Sequence, residues 1–315
     1  MKEIGGYLEL EENRGKEYYD YLTFNSSRNS LQFIVRKRNI KKIYLPYYLC
    51  LVIKETLEKE NVEIIYYHIN EEFKPIIDNY DEDIYIYIVN YFGLLTKQDI
   101  SELNKKYKKM ILDNTHAFFM EGFGNIDIIY NCRKYFGVPD GSYLYTSLEK
   151  DELYNEASSM NRIEHLFGRY ETNASKYYEA FVKEDLTFGG RDIELMSKIT
   201  HNMLKGIDYN FIKDRRLTNF KYLHENLIKI NELQINSKDE DTFSYPLLIK
   251  NGNELRKKLI ENKVYISKLW PGLDIFPLNE FEENIFNNLI LLPIDQRYIK
   301  EDMEYMCGII KEWRK

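Results

Sequence analysis

Between residues 42 and 146 the chain carries six short apolar runs: Lys42–Pro46, Val62–Ile69, Ile84–Asn90, Met110–Asp113, Ile126–Tyr130 and Ser142–Thr146. They are rich in Ile, Val and Tyr and are bounded by Pro, Asn, Asp or Gly, as strands buried on both faces of a sheet tend to be. Between them lie stretches such as Leu51–Glu60 and Asp99–Tyr107, apolar on one side and polar on the other, which read as amphipathic helices. Strand, helix, strand, repeated, leaves few architectures open. Parallel neighbours can be joined only by crossovers, so the pattern predicts an open, mostly parallel α/β sheet with helices on both faces.

After about Thr200 the texture changes. Asp208–Ile230 reads as a long helix, with Phe220, Leu223, Leu227 and Ile230 spaced 3, 4, 3 on one buried stripe. A polar loop (Asn236–Asp241), a strand (Phe243–Ile249), a helix (Asn253–Glu261), two more strand candidates (Val264–Leu269 and Asn288–Pro293) and a closing helix (Lys300–Trp313) follow. The expected organisation is a large α/β domain over residues 1–205 and a smaller α+β domain over residues 206–315. A chain of 315 residues with 44% hydrophobic content can bury a core in each.

Charge and cysteine usage narrow the function. Lys+Arg 44 against Asp+Glu 51 leaves a net charge of −7, so no global basic field exists to hold a phosphate backbone, and nucleic acid is not an expected partner. No run approaches the roughly 20 apolar residues of a membrane span. The opening Met1-Lys2-Glu3-Ile4-Gly5-Gly6 has no apolar core, so no signal peptide is expected. Cys50, Cys132 and Cys307 are odd in number and widely spaced, which reads as reduced thiols in a cytoplasmic protein. The 28 tyrosines come with abundant Ile, Lys and Asn, a bias that AT-rich coding explains, and they say nothing of function.

In open α/β sheets, ligands bind beyond the carboxyl ends of the strands. Ser26-Ser27-Arg28 opens a helix and offers hydroxyls and free N–H groups, either as a plain cap or as a phosphate site. Tyr47 and Tyr48 follow the first run, where an aromatic either packs or lies against a planar ligand. Tyr91-Phe92-Gly93 follows the third. The fourth ends in Asp113-Asn114-Thr115-His116-Ala117: an acid at the end of a buried strand needs a cation, which a protonated ring nitrogen, a metal or a structural ion pair would supply. The five histidines show no HxH or HxxxH spacing, so no metal site is expected. The fifth run leads to Asn131-Cys132-Arg133-Lys134 and then Asp140-Gly141-Ser142. A lysine on this tight loop is either solvated or, beside Arg133, a nucleophilic amine of lowered pKa. Arg169, Arg191 and Arg297 are further candidates for a diphosphate or a carboxylate. The aromatic-rich Tyr170–Phe181 reads equally as interface or core.

The order of these pieces resembles the DegT/DnrJ/StrS-type aminotransferases: Ser-x-Arg before a helix, Pro-aromatic, Asn90-Tyr91-Phe92-Gly93, Asp113-x-x-His116-Ala117, and Lys134 with Asp140-Gly141-Ser142. Arg215-Arg216-x-x-Asn219, Leu269-Trp270-Pro271 and Leu292-Pro293-Ile294-Asp295-Gln296-Arg297-Tyr298 extend the resemblance over most of the chain. It implies a fold type I enzyme that uses pyridoxal 5′-phosphate (PLP) to move an amino group from a donor such as glutamate to a nucleotide-linked keto-sugar, and a homodimer whose sites the neighbouring subunit completes. It also implies roles: Lys134 holds PLP covalently, Asp113 pairs with the pyridine nitrogen, His116 (often Gln) reaches the phenolic oxygen or the phosphate side, Tyr48 stacks on the ring, and Ser27, Arg28 and Asn131 hold the phosphate. The chain departs from the pattern in its short Asp127–Lys134 segment and in Ser26, where many relatives have Gly. These departures keep open a non-catalytic relative serving as a binding or regulatory partner. A PLP-dependent sugar dehydratase would carry His in place of Lys134. An ordinary nucleotide-binding domain would show a Gly-x-Gly-x-x-Gly turn, which is absent.

Overall fold

The computed structural model describes residues 4–150, 153–190, 192–235 and 242–314; the polar loop Asn236–Asp241 and Arg191 lie outside them. Eight strands form one sheet: β1 (Leu22–Phe24), β2 (Lys42–Pro46), β3 (Glu63–Ile69), β4 (Pro75–Ile76), β5 (Tyr85–Val89), β6 (Met110–Asp113), β7 (Asp127–Asn131) and β8 (Ser142–Tyr145). Their order is β1-β8-β7-β6-β5-β2-β3-β4. The five strands from β7 to β3 run parallel, while β8, β1 and β4 are antiparallel to their neighbours. This is the mostly parallel α/β sheet expected, and all six expected strands are in it. The two it adds, Leu22–Phe24 and Pro75–Ile76, are too short to show a period.

Helices α1 (Ser27–Lys37), α2 (Leu51–Lys59) and α3 (Lys97–Lys106) cover the sheet. Their starts are written locally. Ser26 accepts a hydrogen bond from Asn29 N–H to cap α1, and Thr96 and Asp99 form a capping box on α3. Strand β2 is followed by β3 on one side, whereas β5 returns to its other side. The chain reverses its progress there and leaves a crevice at the carboxyl ends of β2 and β5.

Beyond the sheet come the short parallel pair β9 (Asn155–Glu156) and β10 (Glu194–Leu195), with α4 (Glu164–Glu171) and α5 (Tyr178–Leu186) between them, then α6 (Lys198–Lys205). The C-terminal part has α7 (Tyr209–Leu227), α8 (Gly252–Glu261), α9 (Glu280–Asn288) and α10 (Lys300–Trp313) around an antiparallel pair, β11 (Tyr245–Leu248) and β12 (Leu289–Leu292). Phe220, Leu223 and Leu227 of α7 are buried as the stripe requires, with Ile230 half-buried in the turn beyond.

One expectation is corrected: Val264–Leu269 is not a strand. Val264 N–H is taken by Leu259 O at the end of α8, Tyr265 points to solvent, and Leu269 O accepts from Tyr48 OH at 2.9 Å. The groups at its two ends are thus spent on a helix end and a side chain rather than on a strand ladder. The C-terminal part is clamped to the sheet elsewhere as well. The buried Glu282 carboxylate of α9 accepts from Ile69 N–H at 2.9 Å and lies 2.7 Å from His68 Nδ1, both on β3.

Candidate active site

Strand β6 ends in the carboxylate that the sequence singled out. Asp113 is 6% exposed; its Oδ1 accepts from Thr115 N–H at 2.9 Å and its Oδ2 from Tyr87 OH at 2.8 Å. No cation lies within ion-pair distance of it among the described residues. Burial accordingly pushes its pKa up, against the opposing pull of those two hydrogen bonds.

Three residues on, His116 is enclosed by a stack of rings. Phe243 lies parallel to it at 4.7 Å, Phe92 at 5.7 Å and Trp270 at 6.3 Å. Its Nδ1 accepts from Phe92 N–H at 3.3 Å, so the proton of the neutral ring sits on Nε2, which is left as a donor. Burial, helped by the charge of Lys134, holds the imidazole neutral, with a pKa of about 3. Phe92 reaches this position with a left-handed backbone (φ 60°), and Gly93, also left-handed at φ 78°, completes the turn that a side chain would strain.

Lys134 closes the 3₁₀ turn Cys132–Lys134 directly after β7. Asn131 Oδ1 caps that turn by accepting from Arg133 N–H at 3.0 Å. The turn is moored to the neighbouring edge of the sheet, beside β8 and β1: Cys132 N–H donates to Gly141 O at 3.0 Å and Gly141 N–H to Asn25 O at 2.7 Å. Gly141 has φ 118°, and a Cβ there would meet Met196, Thr200 and Cys132 at 3.1–3.2 Å. Lys134 is exposed to solvent, although protein encloses much of its side chain. That enclosure lowers its pKa, opposed by Cys50 and, more weakly, by Asp185 and Asp113. Its Nζ stands 5.9 Å from the centre of the Phe243 ring.

At the N-terminus of α1, Ser27 is 8% exposed and its hydroxyl has no hydrogen-bond partner; the neighbouring Asn25 side-chain amide is likewise buried and unpartnered. Arg28 makes no hydrogen bond or ion pair among the described residues and lies 5.9 Å from the Phe188 ring. Burial lowers its pKa, opposed by the charge of Asp185 and reinforced by that of Arg133.

The structure thus gathers Asp113, His116, Lys134 and Arg28 round one cleft, with Ser27 beside Arg28. It places two of the expected residues differently. Asn131 has its side-chain oxygen committed to the turn. Tyr48 is fully buried, its hydroxyl on Leu269 O and its ring against Trp270 (5.3 Å) and Tyr91 (5.9 Å), so other rings stand between it and His116. Cys50, two residues further on at the start of α2, is the residue of that segment that feels the charges of both Lys134 and Arg28. It was within reach of the sequence, in the same strand-end segment as Tyr48. Phe243 and Phe188 lie far along the chain from Lys134, and no spacing could have pointed to them. Among the described residues no cluster of three His, Cys, Asp or Glu could hold a metal.

No protein-family model and no curated protein sequence matches the chain. Solved structures do. A DegT/DnrJ/EryC1/StrS aminotransferase from Brucella abortus matches at TM-score 0.61 and 13% identity, over 93% of this chain and 85% of its own. The Streptococcus pneumoniae protein Spr1654, solved in a PLP form, matches at TM-score 0.65 and 11% identity, over 92% and 86%. Helicobacter pylori PseC, an aminotransferase involved in the biosynthesis of pseudoaminic acid, matches at TM-score 0.64 and 12% identity, over 92% and 85%. With nearly the whole chain overlaid on each, this protein has the fold of the DegT/DnrJ/EryC1/StrS aminotransferases.

Proposed function

We propose that the chain is a PLP-dependent aminotransferase that passes an amino group from a donor such as glutamate to a nucleotide-linked keto-sugar, in surface polysaccharide or antibiotic biosynthesis. The observation that carries the reading is the meeting of Asp113, His116 and Lys134 at one cleft. The chemistry of these groups fits the cofactor. Among the described residues Asp113 is buried with no cation within ion-pair distance, and a protonated pyridine nitrogen is a cation. Ser27 has a buried hydroxyl with nothing to bond, at a helix N-terminus beside Arg28, which suits a phosphate. When bound, PLP supplies an electron sink for the donor's α-carbon.

The remaining work falls to the chain. Asp113 would hold the cofactor's ring nitrogen in its protonated form, and His116 Nε2–H is the donor left for a neighbouring oxygen. Lys134 would hold the cofactor covalently until the donor's amine displaces it, and the released amine, its pKa lowered by enclosure, could then take the proton from the donor's α-carbon. Phe243, Phe92 and Trp270 exclude water from the side of His116. We propose the division into domains at residues 205/206, which leaves the small part to contribute Phe243 and Trp270. Three free thiols fit a cytoplasmic setting.

A homodimer belongs to the same proposal. Tyr170, Tyr178, Phe181 and Leu186 on α4 and α5 face solvent, Tyr170 at 91%, so this aromatic segment is not core of its own chain. Apolar side chains gathered in one exposed region mark an interaction site.

The deciding experiment is the absorption spectrum of the purified protein with added PLP, then borohydride reduction and peptide mapping. A reducible yellow chromophore mapped to Lys134, lost in Lys134→Ala together with transamination, is expected. No chromophore, or one on another lysine, turns the assignment to a non-catalytic partner protein of the same fold.

A further inference from the structure

Three arginines from three separate elements converge on one buried ring. Phe188, just beyond α5, has the guanidinium of Arg133 at 4.4 Å, that of Arg162 at 4.5 Å and that of Arg28 at 5.9 Å. Like charges do not collect without compensation, and here it is uneven. Arg133 is bound to Glu184 at 2.6 Å and to Asp185 at 3.2 Å. Arg162 donates to Asn25 Oδ1 at 3.3 Å. Among the described residues Arg28 makes no hydrogen bond or ion pair, and has the ring and the more distant charge of Asp185. Two buried donors without partners, Asn25 Nδ2 and Ser27 Oγ, stand beside it at the start of an eleven-residue helix. Glu184 itself is buried, with its Oε1 unpartnered, and burial pushes its pKa up to about 7.

We infer that Phe188 and Glu184 are positioning residues of an oxyanion site at the N-terminus of α1. The ring fixes the three guanidiniums, and Glu184 sets how much of their charge remains for the anion. The inference deepens the cofactor reading by assigning the residues that tune its phosphate end, but it holds for any phosphate-like dianion. A flat aromatic face is what the guanidinium planes need: an aliphatic residue of similar size keeps the packing and loses the cation–π attraction. Glu184→Gln keeps the hydrogen bond to Arg133 and removes the negative charge.

These roles predict opposite signs. Equilibrium binding of inorganic phosphate, and separately of PLP, is measured on the wild type, Phe188→Leu, Phe188→Tyr and Glu184→Gln, with a thermal melt of each. Phe188→Leu should weaken phosphate about tenfold, Phe188→Tyr should stay within about threefold of wild type, and Glu184→Gln should tighten it several-fold. A merely structural role weakens binding in both Phe188→Leu and Glu184→Gln, and that result overturns the inference. So does a wild type without phosphate affinity, or a Phe188→Leu protein that binds as wild type does. If Phe188→Leu fails to fold, the sign of the Glu184→Gln change decides alone. Phosphate binding that responds as expected while PLP leaves no chromophore overturns the cofactor reading and leaves this one standing; a Lys134 chromophore with phosphate affinity unmoved in every variant does the reverse.

Discussion

His116 carries the plainest pH signature in the molecule. Its folded pKa of about 3 lies below the ordinary 6.5, so between those values the unfolded chain binds the proton and the native one does not. Stability contributed by the neutral ring is therefore present above pH 6.5 and is lost as pH falls toward 3, at about 1.4 kcal/mol per unit at most. Urea titrations of the cofactor-free protein from pH 7 to pH 4 should show this slope, and His116→Gln should flatten it; an unchanged slope would remove His116 as its source. Asp113 has the opposite sense. Burial raises its folded pKa, so its ionised form opposes folding, and stability falls as pH rises through the window that starts at the ordinary 3.8. Asp113→Asn should leave the cofactor-free chain at least as stable as wild type at pH 7, while turnover on the proposed reaction drops about a hundredfold or more. A variant both destabilised and fully active would contradict the role given to Asp113. The sequence could name these two residues because an acid at the end of a buried strand is anomalous in itself. It could not see that Tyr48 spends its hydroxyl on Leu269, or that Cys50 faces Lys134, because both depend on where remote segments come to rest.

The strands were legible because buried parallel strands need continuous apolar residues on both faces, a demand met locally by runs such as Ile86–Val89 and Ile111–Leu112. Val264–Leu269 shows the limit: its composition suits a strand, but no neighbour is left to pair with it. Motifs distant in sequence meet in α7. The buried Asn219 donates its amide to Ile294 O at 3.1 Å and Tyr298 O at 3.0 Å, with Asp295 O at 3.4 Å, and so ties the Arg215-Arg216-x-x-Asn219 helix to the Leu292–Tyr298 segment. Asn219→Ala strands those carbonyls and should cost about 2–3 kcal/mol in urea unfolding. A loss below about 0.5 kcal/mol would mean that the segment holds its place without it.

On the scale of the whole molecule, the exposed aromatic face of α4 and α5 adjoins the site, since α5 supplies Glu184 and Asp185 to Arg133, the residue before Lys134. Tyr170→Glu combined with Phe181→Glu should shift the protein from dimer to monomer in sedimentation at micromolar concentration, and lower PLP occupancy if the second subunit completes the site. A wild-type monomer would end the dimer reading. The sequence alone determined the alternating elements, the parallel sheet, and the acid, histidine and lysine at successive strand ends, because strand burial, helix capping and turn chemistry are decided by neighbours within a few residues. Only the tertiary structure decided that the C-terminal part brings Phe243 against His116 and within 5.9 Å of Lys134 Nζ, that three arginines share Phe188, and that the α4–α5 aromatics face outward. Those outcomes depend on which surfaces meet once the layers pack, and the free energy that selects them comes from contacts between residues tens to more than a hundred positions apart, for which no local spacing can stand.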